Sequence, residues 1–78
     1  MQIVVLSQNA CNPCTEVKNF LTDEGVEFIE INISEKPNAV EEFNIMSTPV
    51  TILFDEGEEI VRVNGYKRVD LEALINQF

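Results

Sequence analysis

Ile3-Val4-Val5-Leu6 is a continuous apolar run, rich in β-branched residues, which predicts a strand buried on both faces. Ser7-Gln8-Asn9-Ala10 breaks the run as a polar loop. Helix formers then continue to Glu24, with Cys14, Val17 and Leu21 on one helical face and Phe20 beside them. Asn12 before Pro13 predicts a helix cap followed by proline at the first helical position, and Gly25 predicts the stop. Val26 to Ile33 predicts a second strand, in which Ile29, Ile31 and Ile33 alternate with Glu30 and Asn32. Strand, helix and strand within about thirty residues make a βαβ unit, so these two strands are expected to be parallel.

Lys36-Pro37-Asn38 opens a short helix with Ala39, Val40 and Phe43 as its apolar side. The loop Met46-Ser47-Thr48-Pro49 leads into Val50-Thr51-Ile52-Leu53-Phe54, apolar enough for a central strand. Asp55-Glu56-Gly57-Glu58 predicts a hairpin turn. Beyond it, Ile60-Val61-Arg62-Val63 forms a strand whose charges, Glu58, Glu59 and Arg62, suit a protected sheet edge. Asn64-Gly65 is a turn, and Asp70 is the expected cap of a last helix with Leu71, Leu74, Ile75 and Phe78 at a 3.6-residue period. Four strands and three helices define a small α/β fold. At 78 residues, roughly half the usual domain size, residues 1–78 are expected to form one domain.

Composition narrows the function. A hydrophobic content of 45% excludes a disordered acidic tail. Fourteen Asp and Glu against five Lys and Arg give a net charge of −9, which repels nucleic acid and anionic membranes; neither is an expected partner. The lack of His removes Ser-His and Cys-His nucleophile pairs, an imidazole base and a His-ligated metal. The opening apolar run is too short for a signal-peptide core and lacks a basic flank. No stretch approaches the ~20 apolar residues needed to cross a bilayer. A cytoplasmic monomer is the expectation.

Cys11 and Cys14 carry the distinctive chemistry. Residues three apart at a helix start lie within disulfide reach. Cys11, at the helix tip, meets unpaired N–H groups and the positive end of the helix dipole, which stabilise a thiolate. Cys14, one turn in, lies on the face carrying Val17 and Leu21 inward. Geometry thus predicts Cys11 as the exposed nucleophile and Cys14 as the shielded resolving thiol. With only the helix end to acidify it, Cys11 should titrate nearer a thioredoxin thiol than a strong oxidant such as DsbA, which favours a reductant. Other readings are half of a zinc site, two core cysteines and a fixed structural disulfide. A zinc site wants four ligands, and only a metal shared between two chains could supply them; no metal is expected. A proline between the cysteines at a helix start argues against inert core thiols, and reducing cytosol argues against a fixed bridge.

Cys11-Asn12-Pro13-Cys14 opening the first helix of a βαβ unit, Thr48-Pro49 before the third strand, a hairpin, and Gly65 before the last helix resemble the thioredoxin-fold redoxins. The layout is most similar to glutaredoxins and glutaredoxin-like NrdH redoxins, over nearly the whole chain. The resemblance implies a glutaredoxin-type βαβαββα fold with a four-stranded mixed sheet of order 2-1-3-4, its third and fourth strands antiparallel to the first two. It implies that Cys11 attacks and Cys14 resolves, that Asn12 and Pro13 shape the redox loop, and that Pro49 is a cis-proline packed against the pair. An X-Pro bond taken alone is ordinarily trans. Thr48 is implied to lend backbone hydrogen bonds to a substrate chain. Asn64-Gly65-Tyr66-Lys67-Arg68 reads alone as a turn and a solvated basic patch; by resemblance Gly65 lies beside the active site, and Tyr66 and Lys67 are partner contacts.

The expected function is a dithiol–disulfide oxidoreductase that carries electrons to protein disulfides. By resemblance its redox-active disulfide is re-reduced by a thioredoxin-reductase-type flavoprotein, NADPH entering only through that reductase, and ribonucleotide reductase is a candidate substrate. Glutaredoxins usually place a Lys three residues before the first cysteine to meet a glutathione carboxylate; Gln8 stands there. Thioredoxins usually carry Trp and a buried acid where this chain has Ala10 and Val5. The alternatives are a glutathione-dependent glutaredoxin and a redox-inactive or metal-bridged binding module on the same fold.

Overall fold

The computed structural model describes residues 1–78. Its elements are β1 (Gln2–Ser7), α1 (Asn12–Asp23), β2 (Ile29–Asn32), α2 (Ala39–Glu42), β3 (Val50–Asp55), β4 (Glu58–Asn64) and α3 (Arg68–Asn76). The four strands form one sheet in the order β2-β1-β3-β4. β1 pairs with β2 in parallel and with β3 antiparallel.

Alternation along the central strands builds two cores. Ile3 and Val5 of β1 join Leu53 and Val63 beneath Val17, Phe20 and Leu21 of α1 and Leu71 and Leu74 of α3. Val4 and Leu6 point the opposite way and join Val50, Ile52, Ala39 and Ile45 under α2. A central strand with both faces covered therefore reads as an unbroken apolar run. Each large side chain buried this way contributes about 1.5–3 kcal/mol before the entropy of ordering it is set against that gain.

Several expectations need correction. The cap of α1 is Cys11, not Asn12, so Asn12 occupies the first helical position and Pro13 the second. β2 spans only Ile29–Asn32; Val26 donates its N–H to the Leu21 carbonyl at 3.0 Å, closing the helix end before the strand begins. β4 is antiparallel to β3, which is antiparallel to β1. It therefore runs in the direction of β1, and only β3 opposes the first two strands. The cap of α3 is Lys67; Asp70 sits in the first turn, where the helix dipole favours a carboxylate, and makes no side-chain cap. Phe78 lies beyond the helix and is exposed.

The β3–β4 turn follows from its residues. Asp55 pairs with Glu58, and the two between, Glu56 and Gly57, both have positive φ (52° and 83°). That is the mirror-image turn whose twist matches a hairpin, and Gly57 adopts it without steric cost. β4 forms a sheet edge, where Arg62 takes Glu59 as its ion-pair partner at 2.8 Å.

Candidate functional site

The redox pair sits where β1 gives way to α1. Ser7 ends the strand, and Asn9 anchors the loop: its N–H donates to Ser34 Oγ at 3.1 Å, and its Oδ1 accepts from Asn32 Nδ2 at 3.0 Å. Ala10 turns the chain with φ 54°, a left-handed conformation an L-residue adopts at a cost of about 1–2 kcal/mol. Cys11 follows in extended geometry and caps the helix.

Cys11 and Cys14 are joined by a disulfide with their Cα atoms 5.3 Å apart. Cys14 is 1% exposed, whereas Cys11 is half-buried. Cys11 Sγ accepts from the backbone N–H of Cys14 at 3.2 Å. It therefore occupies the place of a capping oxygen, at one of the N–H groups the first turn leaves unpaired. Asn12 and Pro13 lie between the cysteines with exposed side chains.

The segment before β3 closes the site. The Thr48–Pro49 peptide bond is cis, and Pro49 is buried. Thr48 Oγ1 lies 3.8 Å from Cys11 Sγ; a disulfide sulfur carries no proton, so the hydroxyl is the donor. Gly65 donates its N–H to the Pro49 carbonyl at 2.8 Å, tying the turn before α3 to this segment. Its φ of 82° accounts for the glycine, because nothing lies within 4 Å of where a Cβ would stand.

The structure thus brings Cys11, Cys14 and Thr48 together and links Pro49 to Gly65. Tyr66 does not meet the sulfurs: it is 37% exposed and lines a hollow along the flank of α1 with Glu16, Asn19 and Arg68. Lys67 caps α3 and is exposed. Beside Thr48 is a cavity of about 320 Å³ lined by Gln8, Ile33, Val40, Ile45, Met46 and Ser47, with no charged residue among them. Met46 is fully exposed.

Sequence reasoning missed the group that binds α1 to the sheet below the cysteines. Ser7 Oγ donates to Glu30 Oε2 at 2.7 Å, and Lys18 Nζ donates to the same oxygen at 2.8 Å. The Lys18 hydrogen bond, then that from Ser7, holds the Glu30 carboxyl below its ordinary range, against a smaller opposing effect of burial. A signal was present: Lys18 lies one turn beyond Cys14 on α1, and Glu30 is opposite Val5 in the parallel pair. No group of three or more Cys, Asp or Glu side chains converges as a metal site, and no helix is long and apolar enough to cross a membrane.

A disulfide at a helix start, a cis-proline next to the threonine that meets it and this sheet order define a thioredoxin-fold redoxin, a thiol–disulfide oxidoreductase. The glutaredoxin family model matches residues 3–53. The chain belongs to the glutaredoxin family. It is 36% identical over 78 residues to the SPbeta prophage-derived thioredoxin-like protein YosR of Bacillus subtilis, covering 99% of this chain and 98% of that one. It is 40% identical over 73 residues to a thioredoxin of Chlamydia caviae, covering 86% of this chain and 72% of the relative. Among solved structures, the thioredoxin-like protein BC3987 superposes with a TM-score of 0.75 at 27% identity, covering 94% of this chain and 99% of that one.

Proposed function

We propose that the chain is an electron carrier that reduces protein disulfides, with Cys11 attacking and Cys14 resolving. The observation that carries this reading is the asymmetry of the pair: Cys11 Sγ is reachable and accepts a helix-end N–H, while Cys14 is 1% exposed. The N–H at 3.2 Å, the helix dipole and the Thr48 hydroxyl all favour a thiolate at position 11. That thiolate attacks one sulfur of a substrate disulfide, forms a mixed disulfide and releases the other substrate sulfur. Cys14 then attacks Cys11 Sγ, the Cys11–substrate bond breaks, and the reduced substrate leaves as the Cys11–Cys14 disulfide closes.

The surroundings suit a polypeptide substrate. Thr48, its hydroxyl 3.8 Å from Cys11 Sγ, offers its backbone to an extended chain, the uncharged cavity beside it accepts an apolar side chain, and Met46 projects at its rim. Asn12, Pro13 and Gly65 shape the rest of that surface, with Tyr66 and Lys67 as outlying contacts. Gln8 in the cavity wall offers no cation to the carboxylates of glutathione, and a net charge of −9 adds repulsion. Regeneration is therefore assigned to a thioredoxin-reductase-type flavoprotein using NADPH, and ribonucleotide reductase is a candidate recipient of the electrons. Mixing the oxidised protein with NADPH and either thioredoxin reductase or glutathione plus glutathione reductase tests this. NADPH consumption only with the first is expected; consumption only with the second makes it a glutathione-dependent glutaredoxin, and consumption with neither a binding module.

A further inference from the structure

The structure buries two polar residues completely enough to matter, Ser7 and Thr51. Ser7 is satisfied by Glu30. Thr51 is 0% exposed, and its hydroxyl has no hydrogen-bond partner. Buried hydroxyls in native proteins are bonded with few exceptions, so an orphan calls for a reason.

Strand register shows which way Thr51 faces. It lies opposite Val5 on one side and Val63 on the other. Both valines belong to the core under α1 and α3, so the row Val5–Thr51–Val63 faces α1. α1 starts just past the end of β1, and the 3.8 Å approach of Cys11 Sγ to Thr48 holds its first turn against the entry of β3. Cys14 is the buried residue of that turn. That turn therefore stands at the end of the sheet where β3 begins, the end that carries Thr51. The titratable groups on this side of the sheet are committed elsewhere: Glu30 and Lys18 bind each other, Arg68 lies over the Phe20 ring, and Lys67 and Asp70 are exposed.

We propose that the Thr51 hydroxyl becomes the hydrogen-bond donor of the Cys14 sulfur when the disulfide opens, stabilising the thiolate that carries out the resolving attack. This rests on the reading of Cys14 as the resolving thiol. In the oxidised chain the Cys14 sulfur is tied to Cys11 and is not in position to accept from the hydroxyl, which stays unpaired. Reduction frees that sulfur to turn toward the hydroxyl; once Cys11 is bonded to substrate, Cys14 is the sulfur that loses its proton, and a thiolate is a far stronger acceptor. In the resolving step the Cys14 thiolate attacks Cys11 Sγ, the Cys11–substrate bond breaks, and the electron pair leaves on the substrate sulfur, which takes a proton from solvent. Thr51 keeps its own proton throughout.

Thr51→Val, an isosteric change suited to a strand, tests this. In a Cys11→Ser background the pH midpoint for alkylation of Cys14 should rise by about one unit, tenfold in the proton equilibrium. In the chain with both cysteines, measured above the pH at which Cys14 loses its proton, the dithiol–disulfide equilibrium should shift about tenfold toward the disulfide, about 30 mV more reducing. Thr51→Ser should restore both. The melting temperature should rise in the oxidised form only. Equal melting shifts in both redox forms, with the equilibrium within twofold of the parent, overturn the proposal. The underlying assignment fails separately, if Cys14→Ser does not accumulate a mixed disulfide through Cys11; the Thr51 measurements still report the hydrogen bond in that case.

Discussion

Thr48 and Cys11, 37 residues apart in sequence, stand with hydroxyl and sulfur 3.8 Å from each other. The contact gives Thr48 a part in the proposed exchange through its side chain, because its hydroxyl donates to the Cys11 sulfur. Thr48→Val removes that donor with little change of volume. The rate of reduction of a protein disulfide should fall roughly fivefold, the equivalent of about 1 kcal/mol, with the melting temperature nearly unchanged. Thr48→Ser should keep the parent rate; a slow Ser variant would place the effect in packing rather than in the hydroxyl.

The difference in exposure between the cysteines predicts the order of labelling. With the protein reduced at neutral pH, iodoacetamide should modify Cys11 well before Cys14, which peptide mass mapping resolves directly. Cys14→Ser should trap a mixed disulfide with substrate, and Cys11→Ser should abolish reduction. Labelling of Cys14 first would reverse the assigned roles.

Elements of the fold are legible in the sequence wherever burial is two-sided or periodic. β1 and β3 announce themselves as apolar runs, and the inward face of α1 is visible in Cys14, Val17 and Leu21. The cysteine pair and the Thr48-Pro49 segment are legible too, since both are local in sequence. The cap of α1 escapes such a reading because familiar capping residues are oxygen acceptors, whereas here a sulfur takes that place. β2 reads too long because Val26 is apolar for a different reason: it packs against the core at the close of α1. Direct contacts of Thr48 with Cys11, of Ser7 with Glu30 and of Arg62 with the end of α2 join residues 18 to 37 positions apart. Periodicity holds no record of such pairings; they exist only once the sheet has been assembled.

Glu30 gives a pH prediction with a definite sign. Its carboxyl is held below the ordinary range by Lys18 first and Ser7 second. A lowered folded-state pKa adds stability that is present above the unfolded value, near 4.5, and is lost as pH falls through the lower folded value. The pair is about a third exposed on each side, so solvent screening limits it to under about 1 kcal/mol. Glu30→Gln keeps an acceptor for Ser7 but does not titrate. The difference in melting temperature between pH 7 and pH 3.5 should be smaller in Glu30→Gln than in the parent, and comparison of the two cancels the general effect of neutralising other carboxylates. An identical difference in both proteins would show that the pair contributes nothing.

Arg62 joins the sheet edge to α2. From β4 it donates through Nη2 to the Phe43 carbonyl at 2.9 Å and through Nη1 to the Asn44 carbonyl at 3.1 Å, while Nε and Nη2 hold Glu59. The two carbonyls lie at the C-terminal end of α2, a four-residue helix too short to persist without tertiary support. Glu59 is held below its ordinary range by this hydrogen bond, and Arg62 is raised by it. Arg62→Ala should therefore cost about 1–2 kcal/mol of unfolding free energy, read from urea denaturation. Arg62→Lys should recover only part, since an ammonium cannot span two carbonyls and a carboxylate with the fixed fork of a guanidinium. Thiol–disulfide exchange per folded molecule should be unaffected, because none of these contacts reaches the cysteines. Loss of exchange without loss of stability would instead connect the α2 end to the redox site.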